Sequence, residues 1–222
     1  MNTLAHPLPL LRVQAYERFR DQILQGRIRP GQVLSQRALT ELLAVPLAAV
    51  RELVPRLEAE GLLRTIPQRG LQIAHVDLKL IHNAYHLRRL LEVEAALRFA
   101  ATVTDADLAL VEEAHRRIVA RACHGPVDEA LLADASAVDS GFHELMIDGL
   151  GNELIAEIYR VNSLRIRLIK LEGAVMSGEV LQSTMGEHLQ VVEAMKRRDP
   201  DAVRRCIEAH VDSALARVLA LP

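Results

Sequence analysis

Two pairs of residues in this sequence have the spacing of a metal grip. Asp139 and His143 stand four apart, as do His82 and His86. Side chains four apart on a helix project from one face, so either pair can hold one cation. A chain with nine histidines also produces such pairs by chance, so the spacing alone decides nothing. His188 and His210 each interrupt an otherwise apolar helical stretch, MGEHLQVV at 185–192 and CIEAHVDS at 206–213. A lone imidazole in such a place is more often a satisfied core group than a ligand. Cys206, one turn before His210, offers a soft ligand, although a buried thiol is ordinarily structural. Arg88 precedes Glu92 by four residues, the spacing of a helical ion pair. Asn152, directly after Gly151, has the type and place of a helix cap.

The elements that must carry these groups can be read from periodicity and punctuation. A first helix is expected from about Leu11 to Gln25, ended by Gly26, with a turn at 27–31 fixed by Pro30 and Gly31. Two short helices follow, over 36–43 and 48–60, and Gly61 stops the second. The stretch 62–74 has β-favouring residues on both sides of a PQRG turn and predicts a two-stranded hairpin. Three helices and a hairpin in this order predict a winged helix-turn-helix, whose third helix fits the DNA major groove while the wing reaches the backbone or minor groove.

From Asp77 onward the pattern is helical throughout. A long helix from Asp77 to about Thr102 is expected to bury Leu80, Ala84, Leu87, Leu91 and Ala95. Helices opening at Thr104 and Asp128 follow; the one opening at Asp128 is broken by GLGN at 149–152, and the next runs to about Met176. A fifth covers Val180 to Arg197, and a sixth starts at Asp199-Pro200, a capping residue followed by proline at the first helical position. The expected fold is therefore mainly α: a winged helix-turn-helix over 1–76 and an all-α antiparallel bundle of about six helices over 77–222.

Composition agrees with this layout. Half of the 222 residues are apolar, aromatics are 3% and Trp is absent, so the cores must be built from Leu, Ala, Val and Ile. Residues 1–76 hold ten Arg and no Lys against six acids, whereas 77–222 hold seventeen Lys and Arg against twenty-three acids. A basic front on an acidic back is the charge layout of a nucleic-acid-binding head on a non-binding body. No apolar run approaches the ~18 residues of a membrane span, and the start MNTLAHPLPLLRVQ lacks the features of a signal peptide. A cytoplasmic chain is expected, with Cys123 and Cys206 reduced.

In this order the segments resemble the GntR family of regulators, in the FadR-like branch with an FCD ligand-binding domain of the shorter, VanR-like kind. The resemblance rests on ILQGRIRPGQVLS at 23–35, AVREL and RLEAEGLL within 49–63, PQRGLQIA at 67–74 and HLRRLLEVEAA at 86–96. It implies DNA contacts by Arg37 on the second helix, Arg51 on the third, and Arg69 and Gly70 at the wing tip. It implies metal ligation by Asp139, His143, His188 and His210 together, a donor set that suits Zn or Ni best and also Fe or Mn. His82 and His86 receive no role and are expected at the surface. Arg88, or Arg89 in its place, would face the pocket and take a small organic acid, with Asn152 as a second polar contact or only a cap. The implied protein is a homodimer on a double-stranded operator, commonly a repressor released by its ligand.

Two departures from the family pattern stand out. PLAA at 46–49 replaces the usual Ser-Arg-x-Pro-type entry to the recognition helix, removing a cap and an arginine. Pro55 removes a backbone hydrogen bond inside that helix, a loss of about 3 kcal/mol, and predicts a kink. Weakened or atypical DNA binding is the expectation. Competing readings are a metal-dependent enzyme and a ligand-binding module that no longer binds DNA.

Overall fold

A computed structural model describes residues 8–173 and 177–220. Of these, one compact unit takes the residues up to Ile81 together with Ser163–Gly173, and a second takes His82–Asn162 with those that follow Gly173.

The first unit opens with helix α1 (Leu8–Leu24) and continues through strand β1 (Val33–Leu34), α2 (Gln36–Leu43), α3 (Leu47–Ala59), β2 (Leu63–Ile66) and β3 (Gly70–Ile73). Ser35 caps α2 through its hydroxyl, which accepts from Ala38 N, and Ala44 ends the helix in the left-handed region. Pro46 precedes α3 with no side-chain cap, as the sequence implied. The helix stays α-helical through Pro55, which lies on its exposed side; lacking an N–H, the proline leaves the Arg51 carbonyl without its helical donor. Phe19, Ile23, Leu39, Leu43, Val50, Leu53, Leu57, Leu71 and Ile73 form the core.

The wing is a sheet of three antiparallel strands in the order β1-β3-β2, where the sequence predicted two. Two residues are too few to show a period, so β1 left no pattern to read. Its register, Leu34 opposite Leu71, brings the Leu34 carbonyl under Gly70. Gly70 has φ of 108°, and a Cβ there would stand 2.6 Å from Leu34 O. Substituting Gly70→Ala is therefore expected to cost the head about 1–3 kcal/mol from backbone strain alone, with the contact adding to it. A fall in the urea midpoint checks this.

A late stretch of chain completes this unit. Leu164 and Leu168 enter its core. The Arg167 guanidinium donates to Leu24 O at 3.1 and 2.8 Å, and Arg165 donates to Glu60 O at 2.5 Å. Both acceptors are carbonyls at helix C-termini, which lack partners within their own helices.

The described residues of the second unit form helices joined by short turns. Its elements are α4 (Leu78–Thr102), α5 (Asp105–His124), α6 (Glu129–Asp148), α7 (Glu153–Gly173), α8 (Gly178–Lys196) and α9 (Pro200–Leu219), of which α4 begins and α7 ends in the first unit. The expected end of α7 near Met176 lies outside the described residues. Thr104, Asp128, Ser177 and Asp199 each cap the helix that follows. Phe99, Leu108, Phe142, Met146, Val191, Met195, Val203 and Ile207 belong to the core. The buried stripe of α4 differs from the expected one. Ala84 and Ala95 are buried, but Leu80, Leu87 and Leu91 are half-buried, while Ile81, Tyr85, Arg88 and Glu92 are fully enclosed. Apolar periodicity placed the last two outside because it cannot see that buried opposite charges compensate each other.

Candidate metal centre

Three helices of the second unit each turn one imidazole toward a common point: α6 supplies His143, α8 His188 and α9 His210. All three are at most 2% exposed, and their ligand nitrogens lie within 4.8 Å of one another. His188 Nε2 and His210 Nε2 are 3.2 Å apart. Two nitrogens bound at ~2.1 Å to one ion would be about 3.0 Å apart at a right angle and about 3.4 Å apart at a tetrahedral angle. Asp139, one turn before His143, brings Oδ1 to 3.7 Å from His188 Nε2. Of the four residues expected as ligands, the three imidazoles converge and Asp139 lies near one of them; the three rings could hold a metal ion.

Two of the rings are hydrogen-bonded from behind, and the third has a carboxylate close by. His210 Nδ1 donates to Glu187 Oε2 at 2.8 Å, and Glu187 is in turn gripped by Arg217 at 2.7 and 3.0 Å. His143 Nδ1 lies 3.1 Å from Glu92 Oε2. His188 Nδ1 lies 3.1 Å from Nε2 of His115. Such second partners fix ring orientation around metals and raise ligand basicity.

Burial pushes the His210 ring down to about 4, against the upward pull of Glu187. Burial, with His210 and His143 beside it, pushes His188 well below the ordinary histidine value. At neutral pH both are therefore uncharged and offer lone pairs. Burial would raise the Glu187 carboxyl, but His210 and Arg217 bring it to about 2.

Arg88 enters the same space. Its Nε donates to Glu92 Oε1 at 2.7 Å, and its Nη2 reaches His143 Nε2 at 2.7 Å and His210 Nε2 at 3.2 Å. The Tyr159 hydroxyl donates to the same Glu92 oxygen at 2.7 Å. Burial would raise the Glu92 carboxyl, yet the Arg88 guanidinium and the His143 ring hold it well below the usual carboxylate range. Arg88 thus does pair with Glu92, though inside the bundle and not at the surface, and its guanidinium lies beside the histidine cluster. Arg89 instead pairs outward with Asp212 at 2.5 Å.

The remaining residues of interest lie elsewhere. Asn152 is exposed, and its Oδ1 accepts from Leu154 N and Ile155 N, capping α7. His82 and His86 are exposed, and Cys206 is half-buried. In the first unit Arg37, Arg51 and Arg69 all face solvent, Arg37 in a 3.2 Å pair with Glu41. Gly70 serves the wing backbone. Sequence reasoning missed Glu187, His115, Tyr159 and the site role of Glu92. Glu187 adjoins His188 in sequence yet serves His210, so no local signal marks it.

Residues 83–213 match the family model of the FCD domain, and residues 11–73 match that of the bacterial regulatory proteins, gntR family. The HTH-type transcriptional repressor RspR of Escherichia coli (strain K12) is 26% identical over 215 residues, covering 95% of this chain and 90% of that protein. An uncharacterized HTH-type transcriptional regulator, YdfH of Escherichia coli O6:H1, gives the same figures. Among solved structures, E. coli McbR/YncC shares the fold with a TM-score of 0.79 at 19% identity, over 94% of this chain and 97% of that one.

Proposed function

We propose, from the premise that the chain belongs to the GntR family of bacterial regulatory proteins and carries an FCD domain behind its GntR domain, that it is a homodimeric, cytoplasmic repressor governed by a small organic acid. The chain is a DNA-binding transcription regulator; the repressor sign follows the relative RspR. No described helix is long and apolar enough to cross a membrane. The working division is a DNA-binding head over 1–76 and an effector-binding, dimerising body over 77–222.

The observation that carries the effector reading is the convergence of His143, His188 and His210, with Asp139 near His188, beside the buried Arg88. These four residues would hold a divalent ion, Zn or Ni in first place, with Fe or Mn also suited to the donors. The ion would supply a Lewis-acidic position for a carboxylate oxygen. Counted at formal charges, Arg88, Asp139 and Glu92 leave the site one negative charge, and a divalent ion turns that into one positive charge. A monocarboxylate neutralises it. Arg88 keeps Glu92 through Nε, so its Nη2 can leave His143 and His210 and give an N–H to the acid, a charge-assisted bond. Asn152 contributes by capping α7 rather than by touching the ligand.

In the head, Arg51 on α3 would read base edges, Arg37 and Arg69 would hold phosphates, and Gly70 would let the wing backbone approach the duplex. Arg51→Ala is expected to lose about 1–3 kcal/mol of specific binding, and Arg37→Ala to lower the salt slope by about 1. Mobility shifts with the protein's own promoter region, run across a salt series, measure both. Adding small organic acids to the metal-loaded complex then tests the switch. Release by at least one acid, typically worth ~1–3 kcal/mol of coupling, supports it, and unchanged affinity across the panel refutes it.

A further inference from the structure

His115 on α5 is 1% exposed and has no place in the ligand set. It packs edge-on against the Phe142 ring and the His188 ring. Its Nδ1 lies 2.7 Å from the carbonyl oxygen of Val111, one turn earlier on the same helix. A carbonyl only accepts, so the hydrogen of the neutral ring sits on Nδ1 and Nε2 is a bare acceptor. That Nε2 stands 3.1 Å from His188 Nδ1, which must therefore be the donor. His188 has only one N–H to give. Its Nε2 is left bare, facing His210 Nε2 and Asp139.

We infer that His115 is a positioning residue: a chain from the Val111 carbonyl through His115 to His188 fixes His188 as the Nδ1–H tautomer and keeps its Nε2 lone pair aimed into the site. The inference rests on the metal reading for its purpose, but the tautomer itself does not depend on a metal. The neighbouring rings have carboxylates behind them, Glu92 for His143 and Glu187 for His210. A third carboxylate behind the fully buried His188 would add another buried charge, which is costly without a cation to match it. A neutral imidazole with its own backbone anchor supplies an acceptor without that charge.

The test uses the full-length protein labelled with 15N in histidine. Long-range 1H–15N correlation spectra should show His188 as the Nδ1–H form in the wild type and a loss of that single form in His115→Phe. Zn2+ affinity, read by competition with a chromophoric chelator, should fall about 10–100-fold in His115→Phe, the usual cost of losing a second partner. His115→Gln, whose side-chain oxygen can take the place of Nε2, should recover most of it. Wild-type His188 in the Nε2–H form, or His115→Phe binding Zn2+ as tightly as wild type, overturns the inference. If His115→Phe does not fold, the wild-type tautomer and the Gln variant still decide it. A wild type that shows the expected tautomer and binds no Zn2+ leaves the chain of hydrogen bonds standing and refutes the metal reading instead.

Discussion

Replacing Arg88 with methionine is expected to destabilise the second unit by about 3–5 kcal/mol, because one half of a buried ion pair is removed and the other is left behind. Glu92 is fully buried and paired to Arg88 at 2.7 Å. Its remaining neighbours are the Tyr159 hydroxyl and the His143 ring, and neither brings a permanent positive charge. The carboxyl must then take up a proton or sit uncompensated. Removing both charges is a different experiment. In Arg88→Met/Glu92→Leu the desolvation cost disappears with the attraction, and such replacements are often near neutral. The double variant is not expected to recover fully, since the Tyr159 hydroxyl loses its bond to Glu92, and such a bond contributes about 0.5–1.5 kcal/mol. Urea denaturation of the wild type, the single and the double variant measures this, with equal slopes as the check that the folded and unfolded states are comparable. If the single variant matches the wild type, the pair is not a closed buried unit. The same substitution removes the guanidinium proposed for the effector, so loss of acid response in the double variant separates that role from stability.

The fold was legible where sequence features act locally. The Thr104 cap, the Asp199-Pro200 start and the extent of α2 are decided within one turn of the residues concerned, and the structure matches the expectation at each. Strand β1 was not legible, because its two residues form a strand only through a partner some 40 positions away. The stripe of α4 was misplaced for a related reason. Arg88 and Glu92 are charged in the sequence and become core residues only because they meet each other, Tyr159 and His143 inside the bundle. Of the metal set, the Asp139–His143 spacing is a helical fact. The arrival of His188 and His210 at the same point depends on how α8 and α9 pack, which no local period encodes, and only the family resemblance suggested it. His115 lies among Glu112, Glu113, Arg116 and Arg117 and looks like part of a solvated face. Its burial against Phe142 and His188 is a property of the bundle.

Acidification is expected to unfold the protein in two legs, and the first belongs to the histidines. An unfolded histidine titrates near 6.5, whereas folded His210 titrates at about 4 and folded His188 well below its ordinary value, burial being the main cause in both. Below pH 6.5 the unfolded chain therefore binds protons that the folded chain refuses. Stability is full above that value and falls as pH drops toward 4, by at most about 1.4 kcal/mol per pH unit for each ring. The second leg belongs to Glu92 and Glu187, whose folded values lie below their ordinary ones. Their contribution is present above pH 4.5 and is lost as pH falls through the folded values, near 2 for Glu187. A divalent ion on the same nitrogens adds to the first leg only, because it too requires bare rings. At a hundred times its dissociation constant it would add about 2.7 kcal/mol at neutral pH. Urea midpoints measured from pH 7.5 to 3, with Zn2+ and with chelator, should therefore be far apart at pH 7.5 and merge by about pH 4. A flat profile between pH 7 and 4.5 would mean that the rings are not neutral and enclosed. Curves that coincide at every pH would mean that the rings are enclosed without serving a metal.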